Sequence, residues 1–123
     1  MEKSHILMVE DDRLFADIHV QKMHEHDLHV THVTNGEDAM RKLESETLDL
    51  ILLDICLPGR DGFSILKDIR KHELGKDVPV IMLSRLSAKE DIDRAFQLGA
   101  TEYMIKSQHT PEDVVLHIEK RLG

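Results

Sequence analysis

Acidic side chains stand at the ends of two short apolar runs in this sequence. Asp54 closes one run, and Glu10, Asp11 and Asp12 close another. A carboxylate can attack a phosphoryl group and form an aspartyl phosphate, a role that a strand-end Asp54 could fill. Neighbouring acids can hold Mg²⁺ at hard oxygen ligands, partly through water, which points to Asp11 and Asp12 as metal ligands. These residue types indicate metal-assisted phosphoryl transfer.

A hydroxyl and a cation follow two further apolar runs. Ser84 comes after Val78–Leu83, and Lys106 comes after Glu102–Ile105. A fixed ammonium and a hydroxyl donor can stabilise the oxygens of a phosphoryl group while its charge redistributes. Ser84 and Lys106 would therefore complete a set that receives a phosphoryl group on Asp54.

The elements that must position these side chains alternate along the chain. Each of five strand-like runs precedes a stretch with helical periodicity, which is typical of a βα unit repeated five times. Right-handed crossovers make a doubly wound, five-stranded parallel sheet of order 2-1-3-4-5 the simplest topology, an α/β fold. In such sheets ligands bind beyond the carboxyl ends of the strands, where the candidate residues lie. The predicted strands are His5–Val9, His29–Val33, Leu48–Leu53, Val78–Leu83 and Glu102–Ile105.

Helix ends also have readable signals. Asn35, Asp61 and Thr110 are predicted to cap the second, third and fifth helices, because side chains of these types accept hydrogen bonds from first-turn amides. Ser87–Glu90 has the spacing of a capping box and predicts the start of the fourth helix. Gly99 is predicted to end that helix.

Composition sets the broad class of protein. The chain has 123 residues, which fits one domain, and its formal net charge of -8 argues against nonspecific binding to DNA or RNA. Cys56 is the only cysteine, which excludes an internal disulfide bond and a zinc cluster built from cysteines. No apolar run approaches the roughly 20 residues that span a bilayer. We expect a cytoplasmic protein that does not insert into membranes.

Four motifs, in this order and spacing, make the chain resemble the receiver domains of two-component response regulators, the family that includes the chemotaxis response regulator. The resemblance implies a flavodoxin-like (βα)5 fold, with Mg²⁺ as cofactor. It also implies that Asp54 accepts a phosphoryl group from a histidine kinase or a histidine phosphotransfer protein. The motifs are Val9–Asp12, Leu53–Gly62, Val80–Ser84 and Gly99–Lys106.

The same resemblance gives roles to individual residues. Ser84 and Tyr103 would form a switch pair, in which the hydroxyl moves toward the phosphoryl group while the aromatic ring turns inward. A downstream protein would bind at about residues 88–122. The implied metal ligands are Asp11, Asp12, Asp54 and the backbone carbonyl of Cys56.

Two residues depart from the family pattern. Ser107 follows the strand-end lysine where receiver domains usually have a proline joined by a cis bond, so we expect a different loop course or strain. Arg85 stands where the family has a small residue, and its guanidinium would shield the site or grip phosphate. Cys56 and Leu86 occupy positions that influence water access in the family. Neither side chain orients water well, which predicts slow autodephosphorylation.

Purely structural roles compete with these assignments. Asp54 could cap a turn, Asp11 or Asp12 could cap the first helix, and Tyr103 could be a packing residue of an edge strand. These alternatives depend on where the side chains meet, which the sequence does not show.

We expect residues 1–123 to form a single receiver domain without an output domain, which signals through protein contacts. It would be no enzyme beyond catalysing its own phosphorylation and dephosphorylation. Two alternatives stay open. One is a degenerate receiver that binds partners without phosphorylation, and the other is a hydrolase of the aspartyl-phosphate type, which would need a second acid where Cys56 stands.

Overall fold

Strands and helices alternate throughout residues 2–123, which a computed structural model describes. A single 3₁₀ turn, Lys106–Gln108, follows the last strand. None of the helices in this range has the length and apolar character that a membrane crossing needs. The elements are β1 (His5–Val9), α1 (Arg13–Glu25), β2 (His29–Val33), α2 (Gly36–Ser45), β3 (Leu50–Leu53), α3 (Gly62–Lys71), β4 (Val80–Ser84), α4 (Lys89–Gln97), β5 (Glu102–Ile105) and α5 (Pro111–Leu122).

The five strands form one parallel sheet in the order β2-β1-β3-β4-β5, which confirms the predicted topology. The register pairs Val9 at the end of β1 with Leu53 at the end of β3. The residues that follow, Glu10 and Asp54, therefore leave the sheet side by side. The register alone brings the two acidic motifs together.

Helices cover both faces of the sheet, which explains why the central strands are continuously apolar. Alternate side chains of β1 enter two separate cores. Ile6 and Met8 pack with residues of α1 and α5, whereas Leu7 and Val9 pack with residues of α2, α3 and α4. All of β1 beyond His5, and all of β3 and β4, is buried.

Two strands differ from their predicted bounds. β3 begins at Leu50, two residues later than expected, and β4 begins at Val80. Pro79 has no N–H to donate to a ladder, so β4 starts after it and extends to include Ser84. Ser84 is therefore held by the sheet and not by the loop.

Three predicted N-caps are confirmed. The side chains of Asn35, Asp61 and Thr110 accept hydrogen bonds from the amides of Asp38, Ser64 and Asp113, respectively.

The prediction of a capping box at Ser87–Glu90 is wrong. α4 begins one residue later than that motif requires, and its N-cap is Ala88, which has no side-chain oxygen to accept a hydrogen bond. Glu90 and Asp91 in the first turn complement the helix dipole instead. The other end of α4 is as predicted, because Gly99 follows it with a φ of 108°.

Candidate functional site

Three carboxylates meet where β1 and β3 end. One oxygen from each of Glu10, Asp11 and Asp54 lies within 4.8 Å of the others. Glu10 and Asp54 are almost completely buried, with 1% and 4% of their surface exposed, whereas Asp11 is exposed. Anionic oxygens held this close repel one another unless a cation lies among them. Hard oxygen donors of this kind fit Mg²⁺, so the residues present suit the predicted metal.

Lys106 supplies part of the compensating charge. Its Nζ lies 2.5 Å from Glu10 Oε1 and 3.0 Å from Asp54 Oδ2. Burial disfavours the charged ammonium, but these two carboxylates outweigh burial and raise the pKa of Lys106. The ammonium also lies 4.3 Å from the centre of the Phe15 ring, a cation–π contact. Lys106 is therefore a permanent, positioned cation at neutral pH.

Glu10 loses its proton less readily than an ordinary glutamate. Burial raises its pKa to about 7, against the hydrogen bond from Lys106, and the negative charge of Asp54 acts in the same direction as burial. With all three acids ionised, three carboxylates and one ammonium carry about two net negative charges. A divalent cation would neutralise that charge and favour ionised Glu10.

Backbone amides fix one oxygen of Asp54. Its Oδ1 accepts hydrogen bonds from the amides of Ile55, at 2.7 Å, and Cys56, at 3.3 Å. The following loop folds back against this turn, since the amide of Gly62 donates to the carbonyl of Ile55 at 2.8 Å. A Cβ at Gly62 would lie only 2.2 Å from the carbonyl oxygen of Asp54, so this close approach requires glycine.

A cavity of about 390 Å³ opens above the three carboxylates. Asp12 lies on its wall, but Asp12 Oδ1 accepts from the amide of Phe15 at 3.1 Å, so this residue is also the N-cap of α1. The predicted residues that the cavity brings together are Asp11, Asp12, Asp54, Cys56 and Lys106, with Glu10, Phe15 and Arg85 completing the lining.

Ser84 and Tyr103 meet at a neighbouring loop. Ser84 is fully buried, and its Oγ accepts from the amide of Leu86 at 3.3 Å. The Tyr103 hydroxyl donates to the carbonyl of Leu86 at 2.8 Å, and burial raises the pKa of Tyr103, which keeps it a donor. Neither residue is among those found to line the carboxylate cavity within residues 2–123. The predicted switch residues therefore contact the same loop residue, Leu86, outside the lining of the cavity that holds Asp54.

The defining sequence pattern of the response regulator receiver domain matches residues 6–119. The chain belongs to this family. Receiver domains are the phosphorylation-responsive modules of two-component signalling, and the recognition made from the four motifs is confirmed. Solved receiver structures superimpose on the five-stranded sheet and its helices, which confirms the flavodoxin-like fold.

Curated relatives include the transcriptional regulatory protein RstA of Escherichia coli, 35% identical over 111 residues, which are 90% of this chain and 44% of that protein. The response regulator SaeR of Staphylococcus aureus is 31% identical over 97% of this chain and 50% of its own length. The chain spans about half the length of the curated relatives it matches. The absence of an output domain stays a prediction.

One solved structure is the receiver domain of the sensor histidine kinase PA1611 of Pseudomonas aeruginosa, with a magnesium ion coordinated in its active-site cleft. It is 29% identical, has a TM-score of 0.89, and matches over 99% of both chains. The two chains therefore share the same fold over almost their whole lengths.

The loop after β5 follows its own course in this receiver domain. No peptide bond within residues 2–123 is cis, and Lys106–Gln108 forms a 3₁₀ turn. Lys106 nevertheless reaches Asp54 and Glu10. Of the two expectations for Ser107, the altered loop course is the one observed.

Glu10 is the site residue that sequence reasoning left without a role. The strand register gives the missing signal. When β1 pairs with β3 so that their last residues align, Glu10 lies next to Asp54. Asp11 and Asp12 then lie further along the loop. Counting the register from the strand ends would have placed Glu10 in the cluster.

Proposed function

We propose that this receiver domain accepts a phosphoryl group on Asp54 from a histidine kinase or a histidine phosphotransfer protein and thereby switches its protein contacts. The observation that carries the proposal is the buried Asp54 carboxylate, which contacts the Lys106 ammonium and lies beside the acids that follow β1. Its Oδ1 is held by two amides, which leaves Oδ2 as the attacking oxygen.

In the transfer step, Asp54 Oδ2 attacks the phosphorus of a phosphohistidine. An O–P bond forms as the N–P bond breaks, the imidazole keeps the bonding electron pair and takes up a proton, and Asp54 becomes an acyl phosphate. The Lys106 ammonium would then stabilise the negative charge on the phosphoryl oxygens. The domain would act on no other substrate, so catalysis is limited to its own phosphorylation and dephosphorylation.

Mg²⁺ bound here would neutralise the acids and the phosphoryl oxygens together. The ligands would be Asp11, Asp12, Asp54 and the Cys56 carbonyl, and the position of Glu10 beside Asp54 supports adding it, directly or through water. The magnesium ion in the cleft of the Pseudomonas structure supports this assignment.

Phosphorylation would change the loop at Leu86. A phosphoryl group on Asp54 offers strong acceptor oxygens, and the Ser84 hydroxyl, whose oxygen accepts from the Leu86 amide, keeps its own hydrogen to donate if it turns toward them. Tyr103 is bonded to the carbonyl of the same residue, so its ring would respond. α4, β5 and α5, about residues 88–122, would carry the change to a downstream protein.

The alternative of a degenerate receiver rests on Ser107 and Arg85. Arg85 is exposed on the rim of the cavity, where it could screen the site. The contact between Lys106 and Asp54 favours a receiver that is phosphorylated. Burying charges costs free energy, and a domain that is not phosphorylated gains nothing from this buried cluster.

The decisive experiment is incubation with acetyl phosphate and MgCl₂, followed by intact mass measurement. We expect a single phosphoryl adduct that needs Mg²⁺, disappears in Asp54→Asn and persists in the matched surface control Asp17→Ala. An absent adduct in the wild type, or an equal adduct in Asp54→Asn, would overturn the proposal.

A further inference from the structure

Two histidines and a glutamate form a second cluster of metal-binding side chains at the amino-terminal edge of the sheet, the end opposite Asp54. His5 opens β1 and His29 opens β2, and the parallel register pairs them. Glu46 directly follows α2 as its C-cap. One possible ligand atom from each of the three residues lies within 4.8 Å of the others.

The fold itself brings these residues together. Side chains two residues apart on a strand share a face, and Leu7 of β1 and Val33 of β2 pack in the same core as Leu43 of α2. His5 and His29 are two and four residues before them, so both side chains lie on the α2 face. Helix α2 runs antiparallel to the strands across this face, so its C-terminal end lies near the strand starts. This places Glu46 beside the two imidazoles.

The present contacts already link the three residues. His5 Nε2 lies 2.7 Å from Thr31 Oγ1 and 3.3 Å from Glu46 Oε1, and Thr31 donates to the same oxygen at 3.1 Å. The rings of His5 and His29 are in contact, with centres 4.3 Å apart and planes tilted by 52°. These side chains converge at one point.

We propose that His5, His29 and Glu46 bind a late first-row divalent metal ion, for which Zn²⁺ is the best match. Two imidazole nitrogens and one carboxylate oxygen form a known protein ligand set for this ion, with a fourth position left open. In tetrahedral coordination with bonds of about 2.0–2.1 Å, ligand atoms stand about 3.4 Å apart. Rotation of the exposed His29 ring and of the Glu46 side chain can close the remaining gap.

The surroundings suit an ion with an exchangeable fourth ligand. The cluster lines an open groove of about 580 Å³, which gives access to water or a small ligand. Lys3, a cation on the same groove, is paired with Asp27 at 3.1 Å. Burial opposes the charge of Glu46, but Lys42, Thr31 and His5 outweigh it and lower its pKa, so the carboxylate is ionised at neutral pH.

The site is chemically distinct from the proposed magnesium site. Imidazole nitrogens select late transition ions, whereas the carboxylates around Asp54 suit hard ions that keep water ligands. Zinc would tie the starts of β1 and β2 to the end of α2. The inference does not depend on phosphorylation, since the two sites lie at opposite ends of the sheet.

The test is calorimetric titration of the full chain with ZnCl₂, with millimolar MgCl₂ present to occupy the carboxylate site. We expect one zinc ion per chain and, in NMR spectra, shifts of the imidazole signals of His5 and His29 at one equivalent. Loss of second-shell partners alone weakens metal sites about 10- to 100-fold, so removal of a direct ligand in His29→Ala or Glu46→Gln should weaken binding at least tenfold.

His24→Ala is the matched control, because it removes another exposed imidazole, on α1, and should leave the affinity unchanged. Circular dichroism establishes that each variant is folded. The inference is overturned if the wild type binds no zinc under these conditions. It is equally overturned if folded His29→Ala and Glu46→Gln both bind zinc as the wild type does.

Discussion

The ammonium of Lys106 lies 4.3 Å above the ring of Phe15. The ring is a third partner of the ammonium beside the carboxylates of Glu10 and Asp54. The Phe15 ring itself is stacked on the buried His19 ring, with centres 4.1 Å apart. A packed column of side chains on α1 therefore supports the orientation of Lys106.

Phe15→Leu should slow phosphorylation of Asp54 by acetyl phosphate by about fivefold, since a partly desolvated cation–π contact contributes about 1 kcal/mol. Phe15→Tyr keeps the ring and should phosphorylate close to the wild-type rate. The rate is measured as the growth of the phosphoryl adduct in intact mass spectra. Equal rates in Phe15→Leu and the wild type would show that the ring does not position Lys106.

Arg70 should be a principal stabilising residue although it lies far from the site. Its guanidinium donates to the carbonyls of Gly75, Val78 and Gly99 at 2.6 to 2.9 Å. Arg70→Ala leaves these acceptors without their charged donor and should lower the free energy of unfolding by about 2–4 kcal/mol, measured by urea denaturation.

The control for Arg70 is Arg41→Ala, because 72% of that side chain is exposed and its ion pair with Asp38 lies at the surface. Its effect on the free energy of unfolding should stay within about 0.5 kcal/mol. Similar losses in the two variants would refute a special role for Arg70.

Gly62→Ala should damage the fold and the site together. The new methyl group would overlap the carbonyl oxygen of Asp54, which is backbone and cannot rotate away. We expect a loss of about 2–4 kcal/mol in unfolding free energy and a reduced yield of phosphoryl adduct. Gly123→Ala, at the exposed chain end, serves as the comparison, and a folded, fully active Gly62→Ala protein would contradict the packing described here.

His26 should make stability depend on pH through a contact between α1 and α5. Burial disfavours its charge, but hydrogen bonds and ion pairs with Glu112 and Glu119 outweigh burial and raise its pKa above the usual 6.5. The folded state then holds the proton more tightly than the unfolded state. Stability from this contact is present in full below about pH 6.5 and is lost as pH rises through the raised pKa.

The measurement for His26 is the difference in unfolding free energy between the wild type and His26→Gln across this pH range. The difference should shrink as pH increases. Lys22 also lies near Glu112, at 3.7 Å, and stays charged throughout, so it contributes no pH dependence here. A pH-independent difference would exclude the proposed ionisation.

Cys56 should make the phosphoryl group on Asp54 long-lived. Its side chain stands at the cavity and offers no group that orients water. We expect Cys56→Asn to shorten the phosphoryl lifetime about tenfold by adding a polar amide, whereas Cys56→Ala should not. The decay of the adduct after removal of acetyl phosphate gives the lifetime, and a wild-type half-life of seconds would contradict this expectation.

Strand-end residues of this domain were predictable because parallel order fixes which ends meet. Asp54, Asp11, Asp12 and Lys106 were assigned to one edge of the sheet from the apolar runs alone, and the structure places them there. The role of Glu10 was not assigned, because it follows from the β1–β3 register. Periodicity alone identifies a strand without fixing its partner's alignment.

Loops were less predictable than strands. Ser87 has the hydroxyl that could cap α4, but the N-cap of this helix is Ala88, which has no capping oxygen. The shared contact of Ser84 and Tyr103 with Leu86 depends on the path of the β4–α4 loop. Such a path is set by tertiary contacts that no local pattern encodes.

The position of β1 between β2 and β3 also bears on the order in which the domain assembles. The first three strands can pair with one another before β4 and β5 are made, so the acids that follow β1 and β3 can come together once the chain extends past Asp54. Lys106 arrives only when the last strand docks. During synthesis on the ribosome, cations in solution, Mg²⁺ among them, can therefore neutralise this acidic edge before Lys106 is present.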